Sequence, residues 1–217
     1  MATKSSEKIS VFILSHHSLF RTGIRASLEN LQDIVVVGDE GNEDNARELI
    51  DKLRPGIILV GMTTSDFSFS TFLQWIKANH PDMTALILAA HNRDASLARA
   101  MDDGAVGYLN EEMQTTQLVE SIRRAAGGEM LFDDQQRRRA SQWRERIEKK
   151  WNSLSEREQQ ILRLLADGKN NNEISSKLFI SESTVEKHLE KIYKKLEVTS
   201  RAQAICWGIE NCVDFPY

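Results

Sequence analysis

Residues 154–204 read LSEREQQILRLLADGKNNNEISSKLFISESTVEKHLEKIYKKLEVTSRAQA, and the spacing of their apolar side chains decides the second half of the fold. Ser155-Glu-Arg-Glu158 is a capping box, in which a serine hydroxyl and a glutamate three residues on satisfy free N–H donors at a helix start. Ile161, Leu162 and Leu165 follow as one stripe, and Gly168 suits the left-handed residue that closes a helix. Either Asn170 or Asn171 can cap a short second helix carrying Ile174 and Leu178. A turn at 179–181 leads to a third helix beginning near Ser183. Its Val185, Leu189, Ile192 and Leu196 stand at i, i+4, i+7 and i+11, which is a single buried face. A fourth helix is expected from about Ser200, with Ala202, Ile205 and Ile209 inward. Two short helices, a tight turn and a longer amphipathic helix are the parts of a helix-turn-helix unit.

The polar residues between the apolar ones are more specific than the stripes. Leu154-Ser-Glu-Arg-Glu158, Asn171-Asn-Glu-Ile174, Leu178-Phe-Ile-Ser-Glu-Ser-Thr-Val185, His188, Lys195-Leu196 and Ser200-Arg-Ala-Gln-Ala204 together resemble the LuxR-type output domain over about residues 150–212. The resemblance implies double-stranded DNA as partner, with the helix from Ser183 to Leu196 in the major groove. Its outward residues are Glu186, Lys187, Glu190, Lys191 and Lys194. Lysines suit phosphates and guanine edges, so Lys187, Lys191 and Lys194 are the principal candidates. Ser183, Thr184 and His188 are candidates for phosphate contacts, His188 equally for packing. Glu186 stands where relatives commonly carry lysine. A carboxylate accepts from cytosine but repels phosphate, so a target sequence unlike the family's usual one is expected. Binding to two half-sites implies a homodimer.

Moving toward the N-terminus, Ile9–Leu14, Ile34–Val37, Ile57–Val60 and Ala85–Ala89 are short apolar runs, with Gly107–Leu109 a shorter one. Between them lie stretches of helical spacing: Leu19–Leu31, Asn45–Leu53, Phe69–Asn79, Ala95–Asp102 and Gln117–Ala126. Continuous apolar strands alternating with amphipathic helices predict a parallel sheet covered on both faces. The fold class is therefore an α/β flavodoxin-like doubly wound domain followed by an all-α helix-turn-helix domain. The functional crevice of such a sheet lies at the carboxyl ends of its strands.

Ile13-Leu-Ser-His-His-Ser-Leu-Phe-Arg-Thr-Gly23 and Gly104-Ala-Val-Gly-Tyr-Leu109 are similar to segments of response-regulator receiver domains, and the likeness covers about residues 9–130. Receivers hold magnesium with an acidic pair, accept a phosphoryl group on a strand-end aspartate, and contact it with a Ser/Thr and a lysine. The resemblance places Ser15 and His16, Gly61, Ala89 and Glu111 at those positions. Glycine cannot accept a phosphoryl group, alanine has no hydroxyl, and Glu111 repels the anion. An atypical, phosphorylation-deficient pseudo-receiver is expected. Asp66, on the loop beyond Gly61, is a weaker substitute acceptor. His16, His17, His91 and Glu111 offer imidazole and carboxylate suited to a transition metal, but they read better as surface residues, and no metal or cofactor is expected. Tyr108 matches the aromatic position that receivers reorient, and is read as a packing or interface residue. Control then falls to constitutive dimerisation, a protein partner, or a small ligand or metal in the crevice.

The expected boundaries are 8–127 for the receiver-like domain, 128–152 for a helical linker and 153–212 for the helix-turn-helix domain. Gly127-Gly128 breaks the preceding helix. Residues 133–151 are charged and helix-compatible, with Arg137–Arg139 either a solvated face or a phosphate contact, and Trp143 and Trp151 as anchors. The net charge of -4 is asymmetric: residues 1–130 carry 12 Lys and Arg against 18 Asp and Glu, whereas residues 131–217 carry 16 against 14. Only the second part suits a polyanion. Cys206 and Cys212 form no metal-ligand set and are read as reduced thiols in the cytoplasm. Neither a secretory signal nor a membrane span is expected. Nor is an enzyme, since nucleophile elbow, phosphate-binding loop and metalloprotease motif are all missing from the sequence. A rival reading is an interaction protein that pairs with and modulates another regulator, which the acidic Glu186 and Glu190 keep open.

Overall fold

A computed structural model describes residues 8–62 and 69–211. The chain divides into two compact units, one ending at Ala140 and one beginning at Ser141.

The first unit is a parallel sheet of β1 (Ile9–Leu14), β2 (Ile34–Glu40), β3 (Ile57–Met62), β4 (Thr84–Ala89) and β5 (Gly107–Asn110). They alternate with α1 (Ser18–Leu28), α2 (Glu43–Leu53), α3 (Phe69–Asn79), α4 (Asp94–Asp102) and α5 (Thr115–Ala126). The strand order β2-β1-β3-β4-β5 makes the chain reverse its winding direction between β1 and β3, which opens a crevice at their carboxyl ends. Alternate residues face opposite sides. Val11, Ile13, Leu59, Leu86 and Leu88 are buried with Leu118 and Ile122 of α5, while Phe12, Ile58 and Ile87 are buried on the other face.

The expected bounds shift where hydrogen bonding, not hydrophobicity, sets the end. β2 runs on through Gly38-Asp-Glu40 because its backbone keeps pairing with β1, up to Leu14 opposite Glu40. Gly38 is required there, since a Cβ would meet Leu53 Cδ1 and Phe12 Cε2 at 2.9 Å. α2 starts two residues early because the Asn42 side chain accepts from the Asp44 and Asn45 N–H groups. α1 ends at Leu28, three residues short of the expected Leu31.

Residues of the expected linker are tied into the first unit at their head. The Leu131 N–H donates to the Val106 carbonyl at 2.7 Å, and Phe132 is buried. The helix that follows, α6 (Asp134–Ser153), offers Gln136 Nε2 to the Tyr108 carbonyl at 2.8 Å. Arg139 pairs with Asp94 and donates to the Asn92 carbonyl, and Arg137 Nε donates to the Phe132 carbonyl at 3.1 Å, whereas Arg138 is exposed. Trp143 is buried as well.

The second unit packs α7 (Glu156–Ala166), α8 (Asn171–Leu178), α9 (Glu182–Leu196) and α10 (Arg201–Asn211) around Ile161, Leu165, Ile174, Val185, Ile192 and Trp151. Trp151 stacks on Trp207 with ring centroids 6.5 Å apart, and the Arg163 guanidinium lies over the Trp151 ring, 4.9 Å from its centroid. Asn170, not Asn171, caps α8, in a box with Glu173. Ser181 caps α9, which begins one residue before Ser183. Gly168 takes the left-handed conformation with φ of 77°.

The inward face of α10 differs from expectation. Ala202 is exposed and Ile209 is 45% exposed, while Ala204, Gly208 and Asn211 are buried. The small residues win because α10 lies close on α7: a Cβ at Gly208 would stand 2.9 Å from Ala166 Cβ. Close backbone approach outweighs the burial of one isoleucine.

Glu158 shows how the unit is held at neutral pH. Its nearly buried carboxylate accepts from Lys195 Nζ at 2.7 Å and from the Ser155 N–H at 2.8 Å. Burial pushes this carboxyl up, but Lys195 and both Ser155 donors outweigh that and hold it below the ordinary 4.5. A depressed folded value means stability that is present above the unfolded value and is lost as pH falls through the folded one. Glu158→Gln should therefore lower the unfolding midpoint at pH 7 and flatten its decline below about pH 4.5. Acid-to-neutral thermal melts of both proteins would check this; parallel curves would refute it.

Candidate functional site

The exposed face of α9 follows directly from its buried one. Val185, Leu189, Ile192 and Leu196 point inward, so Ser183, Glu186, Lys187, Glu190, Lys191 and Lys194 are left exposed, with Thr184 and His188 half-buried. Among the described residues, the side chains of Glu186, Lys187, Glu190, Lys191 and Lys194 make no hydrogen bond or ion pair. Lys195 is withdrawn from this set by Glu158. At roughly 100° per residue, Lys187 and Lys191 fall on one flank, Glu186 and Glu190 on the other, and Lys194 between them. The start of the helix is rigid, because Ser181 Oγ contacts Thr184 N, Ser183 Oγ and Thr184 Oγ1. His188 Nδ1 is buried without a partner. Arg201, which the sequence reading left unassigned, braces the approach to α8 by donating to Asn171 Oδ1 and to the Lys169 carbonyl.

The five strand-end positions do converge. Ser15 and His16 follow β1, Gly61 lies in β3, Ala89 ends β4, and Glu111 follows β5 with its N–H on the Ala89 carbonyl at 3.1 Å. Gly61 is the tightest point: a Cβ there would lie 2.6 Å from Phe20 Cε1 and 2.9 Å from Ser15 Cβ and Oγ. Phe20 thus occupies the place where a strand-end side chain would project, which no spacing rule in the sequence foretells. Ser15 is buried, its Oγ accepting from the His17 N–H at 3.3 Å and its carbonyl from Arg21 Nη1 at 2.6 Å. The remaining recess, lined by Ser15, His16, Glu43, Gly61, Met62 and Phe69 among others, holds about 20 Å³, room for about one water molecule.

Asp39 at the end of β2 pairs with Arg21 and Arg25. Its burial pushes the carboxyl up, but the two guanidinium groups hold it below the usual value. His16, His17, His91 and Glu111 are exposed, and among the described residues no three metal-ligating side chains come together. Asp66 lies outside the described residues. Tyr108 is buried and its hydroxyl donates to the His91 carbonyl at 2.9 Å, with burial raising its phenol above the ordinary value. Among the described residues no helix is long and apolar enough to cross a membrane.

Both units match known families. Residues 11–123 match the response regulator receiver domain, and residues 152–208 match the bacterial regulatory proteins of the luxR family. The chain belongs to the response regulators that carry a luxR-family regulatory domain, which are transcriptional regulators and not enzymes. It is 28% identical to the transcriptional regulatory protein DegU of Brevibacillus brevis, over 95% of each chain. It is 29% identical to the nitrate/nitrite response regulator protein NarL of Escherichia coli K12, over 94% of this chain and 96% of NarL. It is 30% identical to the response regulator protein VraR of Staphylococcus saprophyticus, over 94% and 97%. Among solved structures, the response regulator ChrA of a heme-sensing two-component system aligns with a TM-score of 0.54 at 29% identity, over 92% and 96%. The RcsB–DNA complex aligns at 0.60 with 24% identity, over 93% and 98%, a likeness of fold.

Proposed function

We propose that the chain is a sequence-specific DNA-binding transcription regulator that works as a homodimer and independently of aspartyl phosphorylation. The observation that carries the first part is the exposed, internally unpartnered row of Lys187, Lys191 and Lys194 on α9. Lysines left free in this way are suited to phosphates and to guanine edges in the major groove. RcsB, whose fold this chain shares, is known in complex with DNA. On this reading Ser183, Thr184 and His188, beside the lysines, serve as phosphate contacts, and the carboxylates of Glu186 and Glu190 accept from cytosine amino groups.

Phosphorylation independence is supported by the chemistry at the strand ends. Ser15 and His16 supply no carboxylate for magnesium, Ala89 no hydroxyl, Glu111 the wrong charge, and the space above Gly61 is filled by Phe20. Of the remaining means of control, dimerisation or a protein partner is favoured over a small ligand, since no dedicated ligand-binding motif stands in the sequence. Cys206 is a free, exposed thiol, in keeping with the cytoplasm. The carboxylates Glu186 and Glu190 favour one second reading, a protein that pairs with another regulator instead of binding DNA.

Selection of genomic DNA fragments by the purified, untreated protein, followed by a salt series, tests the proposal. A site of two half-sites with a steep salt dependence is expected. Failure to enrich any sequence would shift the assignment to the second reading.

A further inference from the structure

Phe179 is out of place by its exposure, at a position where the backbone is also left-handed. Its side chain is 94% exposed, more than that of any other large apolar residue among those described. Its backbone is left-handed, with φ 55° and ψ 45°, as at Arg54 and Glu197, which close α2 and α9 in the same way, but at Phe179 the conformation carries a large apolar ring. Its neighbours behave normally, since Leu178 and Ile180 pack against the core of the second unit. The turn itself is firmly held. The Phe179 N–H and the Ile180 N–H both reach the Ser175 carbonyl, and Arg157 Nη2 donates to the Leu178 carbonyl at 2.5 Å. A rigid turn therefore displays a phenyl ring to solvent at the cost of both backbone strain and exposed apolar surface. The hydrogen bonds hold the backbone of the turn, but the ring itself stays in solvent, and an exposed phenyl ring on a firmly held turn points to an external contact.

The position of the ring indicates the contact. Phe179 stands two residues before Ser181, the cap of α9, and its exposed neighbours Lys177, Ser181 and Ser183 are the side chains that suit phosphate oxygens. We propose that Phe179 is a DNA-contacting residue whose ring seats on the apolar surface of the duplex, deoxyribose or thymine methyl, at the groove wall beside the start of α9. The inference rests on the DNA-binding reading above and adds to it a non-ionic contact outside the recognition helix.

The contact predicts opposite movements of fold stability and affinity. Phe179→Gly suits the left-handed backbone, so its thermal midpoint should equal or exceed that of the parent. Its affinity for the selected DNA should fall about tenfold, the lower end of what burying a phenyl ring is worth. The salt slope should stay unchanged, because no phosphate contact is lost. Phe179→Leu should keep most of the affinity. Loss on all sequences would place the ring on sugar, and loss confined to sites with one thymine would place it on the methyl. A Phe179→Gly protein that binds DNA like the parent would overturn the proposal. So would one whose affinity falls only because its oligomeric state on sizing has changed, since the ring would then serve contact between copies. If the parent itself binds no DNA, the DNA-binding reading fails and this one with it.

Discussion

Replacing Lys187, Lys191 and Lys194 together with alanine is expected to weaken binding to the selected site by about a hundredfold or more, roughly 1 kcal/mol per lysine. The three side chains are exposed and unpartnered among the described residues, so the thermal midpoint should hardly move and the loss can be assigned to the interface. The single variants separate two roles. A lysine on phosphate lowers affinity for all sequences and reduces the slope of log K against log salt by about 0.9. A lysine on a guanine edge instead relaxes preference at one base position. Lys52→Ala, on an exposed position of α2, should do neither. Equal effects from Lys52 and Lys191 would remove α9 from the interface.

The second large effect concerns the crevice. Gly61→Asp is expected to destabilise the first unit by about 1–3 kcal/mol, the usual cost of overpacking, since the new Cβ would stand 2.6 Å from Phe20 Cε1. It is also expected to take up no phosphoryl group from a small phosphodonor. Adding Phe20→Ala should return part of the stability by giving the aspartate room, but still yield no labelled protein. Ser15 and His16 offer no carboxylate to magnesium, and Glu111 carries the wrong charge for a phosphoryl group. Stable labelling of either variant would end the case for phosphorylation independence.

Much of this protein could be read before its fold was known, where the controlling physics is local. The five apolar runs and the intervening helical stripes announced a doubly wound sheet, because side-chain periods of two and 3.6 residues follow from backbone geometry alone. Ser155 and Glu158 marked the start of α7 because a capping box is satisfied within four residues. The outward row of α9 followed from the inward one, and the chemical poverty of Ser15, His16, Gly61, Ala89 and Glu111 is visible from residue type.

What the sequence could not supply depends on residues far apart in the chain. Gly61 could be read as unable to accept a phosphoryl group, but not that Phe20, forty-one positions earlier, fills the space above it. Ile209 looked like a core residue by hydrophobicity, yet Gly208 faces α7 because only a residue without Cβ lets the backbones meet beside Ala166. Phe179 sat unnoticed in an apolar triplet. The left-handed turn alone sends its flanking residues inward and leaves the ring in water. Periodicity and capping are properties of a segment, whereas close approach and exposure are properties of the surfaces that segments make together, and only the tertiary structure decided those.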